Sequence, residues 1–481
     1  MFALALSLLA VPVAWALAQW RVAFLLCLAT AIFQDPLRKL TPDQPVVFVV
    51  FVGVVFAAAC LGAFARGVSL NPFMMFRPYR QLAVPFLLLS MLIMLQALQS
   101  YARFENVMLP LTGLLTYVLP FFSIVFAYQL AFREGGFRIR QFATWYVVCI
   151  GLALTTVYLE YSGYQWSVLG QVGERLIVFD KLTGAILRPS AGLFRASEIA
   201  AWHAMTAACF VVLIVFDRRM TFRRLLATIA IVALLLAVGI LTGRRKIVLQ
   251  FLVFAGTYYI VWAALQYRLN KLLIIGITGA ALVGYAWFAA EVTEDVGDPT
   301  LPEVANYSLF VDRARGVFGD APARLVELGL APVMWAYAEF GLFGVGLGAG
   351  TQGTQHFGGQ SMGAAEGGLG KITLELGIPG LLLMIWFGAA VLRHLWRTMR
   401  AASRHSARLG RLTVGLFSVL AANVAGFAVA TQAYGDLFIL LILSWAMGFL
   451  LAVPMLIQRE ARARGPTLVR EPVPALRPQP A

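Results

Sequence analysis

The chain alternates between long apolar runs and short polar interruptions along almost its whole length. Runs of about 18–25 apolar residues recur, each long enough to cross a hydrocarbon core of ~30 Å as a helix. Lipid offers no partner to a backbone N–H or C=O, so each run is expected to be helical. The pattern predicts spans at residues 2–18, 20–34, 45–65, 81–99, 107–131, 141–160, 196–216, 225–242, 247–265, 271–290, 371–392, 412–431 and 437–457. The first two are short and barely separated by Gln19 and Arg21. Residues 16–18 (Ala-Leu-Ala) resemble a signal-peptidase site, but no basic segment precedes the run, so a retained helix is expected. The predicted fold class is all-α, a polytopic bundle of about 12–13 spans.

This divides the chain into N-terminal transmembrane helices (1–290), a large extracytoplasmic loop (291–370), C-terminal transmembrane helices (371–457) and a cytoplasmic tail (458–481). The tail is rich in Arg and Pro and is expected to be disordered. No repeat of about 20–50 residues is present.

Composition agrees. Of 481 residues, 60% are hydrophobic and 13% charged, against ~25% charged in a soluble domain. That excludes a soluble enzyme carried on a single anchor. The net charge of +15 is accounted for by Lys and Arg in cytoplasmic loops, so a nucleic-acid partner is not implied. Cys27, Cys60, Cys149 and Cys209 sit singly in apolar runs and suggest neither a disulfide nor a metal site.

The basic loops set an expected orientation. Residues 77–80, 133–140, 217–224, 268–271, 393–411 and the tail after Arg459 read as cytoplasmic. Counting spans from them places 161–195 and 291–370 on the extracytoplasmic face. The second segment is long, and long loops in a compact fold are uncommon unless functional.

The same count puts Arg244, Arg245 and Lys246 at the extracytoplasmic end, against the positive-inside tendency. Arg188 and Arg195 flank another span on that face, and Arg313, Arg315 and Arg324 lie in the long loop. Two readings stand side by side. These cations snorkel or pair with Glu198, Glu291 or Asp312, or they form an anion site. Arg matches phosphate oxygens two at a time, and cations near membrane depth often mark a ligand path.

Further along, residues 341–350 form a glycine-rich stretch, and 348–353 spells GxGxxG. No strand precedes it, so a dinucleotide site is not indicated; a turn that lets backbones pack closely is. His356 follows in a polar stretch and reads as a solvated side chain. Glu366 stands at the mouth of the next span, while Glu375 lies inside it, with Lys371 one turn away as a partner. Asp35 and Asp43 read as ordinary acids of the first loop. Trp166, Trp335 and Tyr337 fit either sugar stacking or an interfacial aromatic belt.

Three features resemble the O-antigen ligase and Wzy polymerase superfamily of bacterial membrane glycosyltransferases. The turn Leu241-Thr242-Gly243-Arg244-Arg245 is similar to that family's Thr-x-Ser-Arg helix end. Arg324 followed by Phe343-Gly344-Val345-Gly346-Leu347-Gly348 resembles its Arg and glycine-rich stretch before the active loop. Glu366-Gly367, nine residues and Gly377-Ile378-Pro379-Gly380 match the spacing of a His-Asn pair followed by Gly-x-x-Gly. The layout covers roughly residues 140–450. Here Glu366 stands where the ligases carry His, which favours an exopolysaccharide or O-unit polymerase branch over a lipid A–core ligase.

The resemblance implies a metal-independent, cofactor-free inverting transfer at the periplasmic face of the bacterial inner membrane. The donor would be an undecaprenyl-pyrophosphate-linked glycan and the acceptor a sugar hydroxyl. Arg195, Arg244, Arg245 and Arg324 are the candidates for gripping pyrophosphate, with Arg188, Lys246, His356 and Lys371 as further candidates, and Glu366 is the candidate base. Membrane lipids and other polysaccharide assembly proteins are the expected partners. A transporter of lipid-linked glycans and a non-catalytic scaffold of an assembly complex remain alternatives at this stage.

Overall fold

The computed structural model describes residues 2–76, 79–173, 178–179, 186–216, 221–266, 307–315, 323, 325–350 and 367–463. The expected span at 271–290, together with Arg324, His356 and Glu366, lies outside the described residues.

The described chain is all-α apart from one two-residue antiparallel pair, in which Val178 faces Leu187. Its helices are α1 (Phe2–Ala18), α2 (Ala23–Leu40), α3 (Phe51–Phe64), α4 (Pro72–Phe76), α5 (Arg80–Phe104), α6 (Met108–Glu134), α7 (Phe137–Tyr161), α8 (Ser197–Phe216), α9 (Phe222–Ile240), α10 (Lys246–Gln266), α11 (Tyr307–Arg315), α12 (Ala331–Phe340), α13 (Gly368–His405), α14 (Ala407–Val429) and α15 (Leu437–Ala463). Among the described residues, 11 helices are long and apolar enough to cross a membrane. This is a multi-pass membrane protein.

Three helices run well past their expected ends, and α13 does so by continuing to His405, through residues expected to form a cytoplasmic loop. Helix α2 runs on to Leu40 and takes in Asp35, Arg38 and Lys39, which the sequence placed in a loop. Their polar groups find partners on neighbouring segments, which repays the cost of carrying charge on a buried turn. Helix α15 continues through Arg459 to Ala463, past the start expected for the tail. Arg459 donates to the carbonyls of Phe132 and Arg133 at 3.0 and 3.1 Å, and Glu460 meets His405 at 2.9 Å.

The most buried helices are α8 and α15. Helix α15 packs along α6, and α14 bridges α10 and α13. Where α2, α7 and α15 meet, Trp445 lies on Phe24 with centroids 3.7 Å apart, and Phe142 stands edge-on to Trp445 at 5.2 Å. Such interlocked apolar side chains hold neighbouring helices together by close packing where lipid supplies no hydrophobic drive.

Helix α13 is broken. Gly377 has φ 70°, which splits the element into a buried half-helix, 368–376, and a long helix that follows. Into the break threads the glycine-rich segment. The Val345 N–H donates to the Leu374 carbonyl at 2.8 Å, the Ile378 N–H to Leu342 at 2.9 Å, and the Leu347 N–H to Gln96 of α5 at 3.1 Å. The segment is therefore part of the packed interior, as its glycine content predicts.

The bundle has two chemically distinct ends. Arg21 and Arg138 meet Glu134 at one, where Arg459 caps the carbonyls of 132 and 133. At the other, the turns around 41–45, 188–196, 241–245 and 430–436 converge.

Candidate functional site

The second end is built around Arg195. Its guanidinium donates to Asp436 Oδ2 at 2.5 Å and lies 3.9 Å from Asp35 Oδ1, while its backbone N–H donates to Asp35 Oδ2 at 2.9 Å. Asp35 and Asp436 are buried and Arg195 is half-buried. Burial opposes the charge on Arg195, and the carboxylates of Asp436 and Asp35 outweigh it, so its pKa is raised.

The loop that carries Arg195 is held from below. Lys39 Nζ donates to the carbonyls of Val168, Gly192 and Phe194 at 3.1, 2.8 and 2.7 Å. Glu160 Oε2 accepts from the N–H groups of Ala191 and Gly192 at 2.8 and 2.7 Å, and Thr156 Oγ1 from that of Leu193 at 2.9 Å. An ammonium and a carboxylate thus satisfy backbone groups that a buried loop would otherwise leave unpaired. The Ser190 N–H donates to the Leu241 carbonyl at 3.2 Å and so joins this loop to the basic turn.

In that turn Arg244 pairs with Glu198, and its Nε donates to Ser197 Oγ at 3.1 Å. Burial pushes the Arg244 guanidinium down in pKa, and Glu198 pulls it back. Arg313 Nε donates to the Gly243 carbonyl at 3.2 Å. Arg245 and Lys246 are half-buried beside it. Arg188 is exposed and has no ion pair among the described residues. Helices α8 and α10 begin at Ser197 and Lys246, so the positive ends of two helix dipoles reinforce the positive field.

A buried network fixes these helix starts relative to one another. Gln250 of α10 donates to the Tyr434 hydroxyl at 3.0 Å. Tyr434 donates to the Asn423 carbonyl at 2.8 Å, and Trp202 of α8 donates to Asn423 Oδ1 at 2.6 Å. Phe427 stands edge-on to Tyr434 at 5.3 Å and also lies against Gly368, at the start of the half-helix.

The half-helix carries two charged residues. Glu375 is fully buried, and its Oε1 accepts from the Gly350 N–H at 3.0 Å. No ion pair joins it to Lys371 among the described residues; the sequence suggested that pairing, but the backbone N–H at the end of the glycine-rich segment takes the carboxylate instead. Lys371 is buried next to Gly350.

The fold therefore gathers Arg188, Arg195, Arg244, Arg245 and Lys246 at one end. Arg195 and Arg244 already hold carboxylates, and Lys371 occupies the neighbouring half-helix. Sequence reasoning missed Asp436, Lys39 and Glu160. Asp436 and Glu160 carried a usable signal, being acids that border apolar runs, where charge is costly unless paired. Among the described residues, no cluster of His, Cys, Asp and Glu has the makings of a metal site. No protein-family model matches the chain, and no curated protein matches it.

Proposed function

We propose that this protein is an inner-membrane glycosyltransferase. It would polymerise or ligate an undecaprenyl-pyrophosphate-linked glycan at the extracytoplasmic face, in exopolysaccharide or O-antigen synthesis. The observation that carries this reading is the meeting of Arg188, Arg195 and the Arg244-Arg245-Lys246 turn at the end opposite Arg21, Arg133, Arg138 and Arg459. The positive-inside tendency makes the Arg133 end cytoplasmic. Cations held on the other side, at headgroup depth, suit a lipid pyrophosphate presented there.

The chemistry is a displacement at the anomeric carbon. The acceptor hydroxyl loses its proton to Glu366 and its oxygen bonds to the anomeric carbon, while the bond to the pyrophosphate oxygen breaks. A positioned base contributes about 10²–10⁴-fold to such a step. Charge developing on the leaving group is met by fixed cations without reorganisation. Arg245, Lys246 and Arg188 are the direct phosphate ligands in this scheme, Arg244 joins by exchanging Glu198 for phosphate, and Arg195 anchors the loop through Asp35 and Asp436.

The test is made in cells. Arg245→Ala and Glu366→Gln, at normal protein level, should each abolish polymer while carrier-linked units accumulate. Normal polymer from both variants removes the mechanism. Orientation is checked separately with a membrane-impermeant maleimide, which should label Arg188→Cys from outside intact cells and leave Phe137→Cys untouched; the reverse pattern removes the whole placement.

A further inference from the structure

At the opposite end, a lateral groove of about 500 Å³ runs between α5 and α13, lined by Arg80, Gln81, Val84, Pro85, Trp386, Ala390 and Arg393. We propose that it binds the headgroup of an anionic phospholipid, with the phosphodiester between Arg80 and Arg393 and an acyl chain running down past Val84 and Trp386. This inference does not depend on the transferase reading.

The lining is graded as an amphiphile is. Arg80 opens α5, and Arg393 lies in the far stretch of α13, so both guanidinium groups stand at the rim. Towards the bundle centre the walls become Val84, Pro85, Trp386 and Ala390, which offer no charge. Trp386 is 46% exposed and Val84 42%, a surface that faces lipid in a membrane-spanning bundle.

The electrostatics favour an anion. No carboxylate lines the groove. Among the described residues, neither Arg80 nor Arg393 takes part in an ion pair or hydrogen bond, whereas Arg21, Arg138, Arg195 and Arg244 all have acidic partners. Two unpaired guanidinium groups on facing helices repel one another, and a phosphodiester between them removes that repulsion while accepting their hydrogen bonds. The rim is also held in place: Arg397 Nη1 donates to Gln81 Oε1 at 3.4 Å, and Tyr79 packs on His394 with centroids 4.7 Å apart. These contacts hold the two helices at a fixed spacing, which a general basic surface lacks.

The test is native mass spectrometry of the full chain in detergent, titrated with phosphatidylglycerol and, separately, with phosphatidylcholine. The wild type should take up phosphatidylglycerol first. Arg80→Gln with Arg393→Gln should weaken that first binding step about tenfold. Arg400→Gln with Arg404→Gln removes the same charge from exposed positions outside the groove and should leave it unchanged. Equal loss in both pairs would mean diffuse surface attraction and overturns the site. So does competition by inorganic phosphate, which would show a free-anion site with no use for an acyl chain. If the Gln pair does not fold, Arg80→Lys with Arg393→Lys decides: it should keep the preference for phosphatidylglycerol over phosphatidylcholine, and loss of that preference at intact fold overturns the proposal.

Discussion

Arg195 and Asp436, 241 residues apart in sequence, share a 2.5 Å hydrogen bond between a half-buried guanidinium and a buried carboxylate. It fastens the loop before α8 to the start of α15, where Asp436 Oδ1 also accepts from the Ile439 N–H at 3.0 Å. Removing one partner of a buried pair strands the other charge, at a cost of ~3–5 kcal/mol. Asp436→Asn keeps the helix cap and removes the charge, so it should destabilise the protein by about that amount. Adding Arg195→Leu should cost less than the two single losses together, because only Asp35 is then left without its cation. Thermal unfolding in detergent measures both variants. Simple addition of the two single losses would mean that the residues are not coupled.

Lys39 gives a second prediction. Its ammonium serves three carbonyls of the 168–194 region at once. Lys39→Met keeps the bulk and leaves those acceptors without their donor, a loss of ~1–3 kcal/mol for each charged hydrogen bond that is not replaced by water. Amide exchange at Ala191 and Gly192, whose N–H groups bond Glu160, should accelerate at least tenfold. Exchange along α15 should not change, because that helix is held by its packing on α6.

The extent to which the sequence disclosed this arrangement follows from the physics of each signal. Apolar runs report helices directly, because lipid permits little else, and each expected span that falls on described residues coincides with a helix, although α2, α13 and α15 run on past their expected ends. The basic turn at 244–246 stood out because its charges are consecutive. What stayed hidden was pairing. Nothing local links Asp35 to Arg195 or Arg195 to Asp436, since those contacts depend on how α2, α8 and α15 pack. The same holds for Glu375: a partner four residues away was the natural expectation, yet its acceptor oxygen is used by a backbone N–H from a segment 25 residues earlier.

That segment supports a third prediction. Gly348 has φ 89°, and a Cβ there would run into the Leu109 carbonyl at the start of α6. Gly135 has φ 71° but open space around it. Both alanine variants meet a positive-φ penalty of ~1–3 kcal/mol, and only Gly348→Ala adds a backbone clash. Gly348→Ala should therefore be destabilised well beyond Gly135→Ala, and loss of the folded peak in size-exclusion chromatography is the expected extreme. Equal midpoints for the two variants in thermal unfolding would show that the segment is not wedged against α6.

The last prediction separates the structural and the anion-binding roles of Arg244. In the absence of ligand it holds Glu198 and Ser197. If phosphate replaces Glu198 on the guanidinium, the carboxylate competes with the substrate, and neutralising it should tighten binding. Glu198→Gln should bind farnesyl pyrophosphate, a short polyprenyl pyrophosphate, about tenfold more tightly than the wild type. Arg244→Gln should bind it less tightly. The double variant should match Arg244→Gln alone, because without the guanidinium the carboxylate has nothing to withhold. Such a cycle is non-additive only when the two groups act on each other. Titration calorimetry of the four proteins in detergent measures it. An unchanged or weaker affinity in Glu198→Gln would assign the Arg244–Glu198 pair to holding the turn against α8, and the phosphate contacts would then rest on Arg245, Lys246 and Arg188.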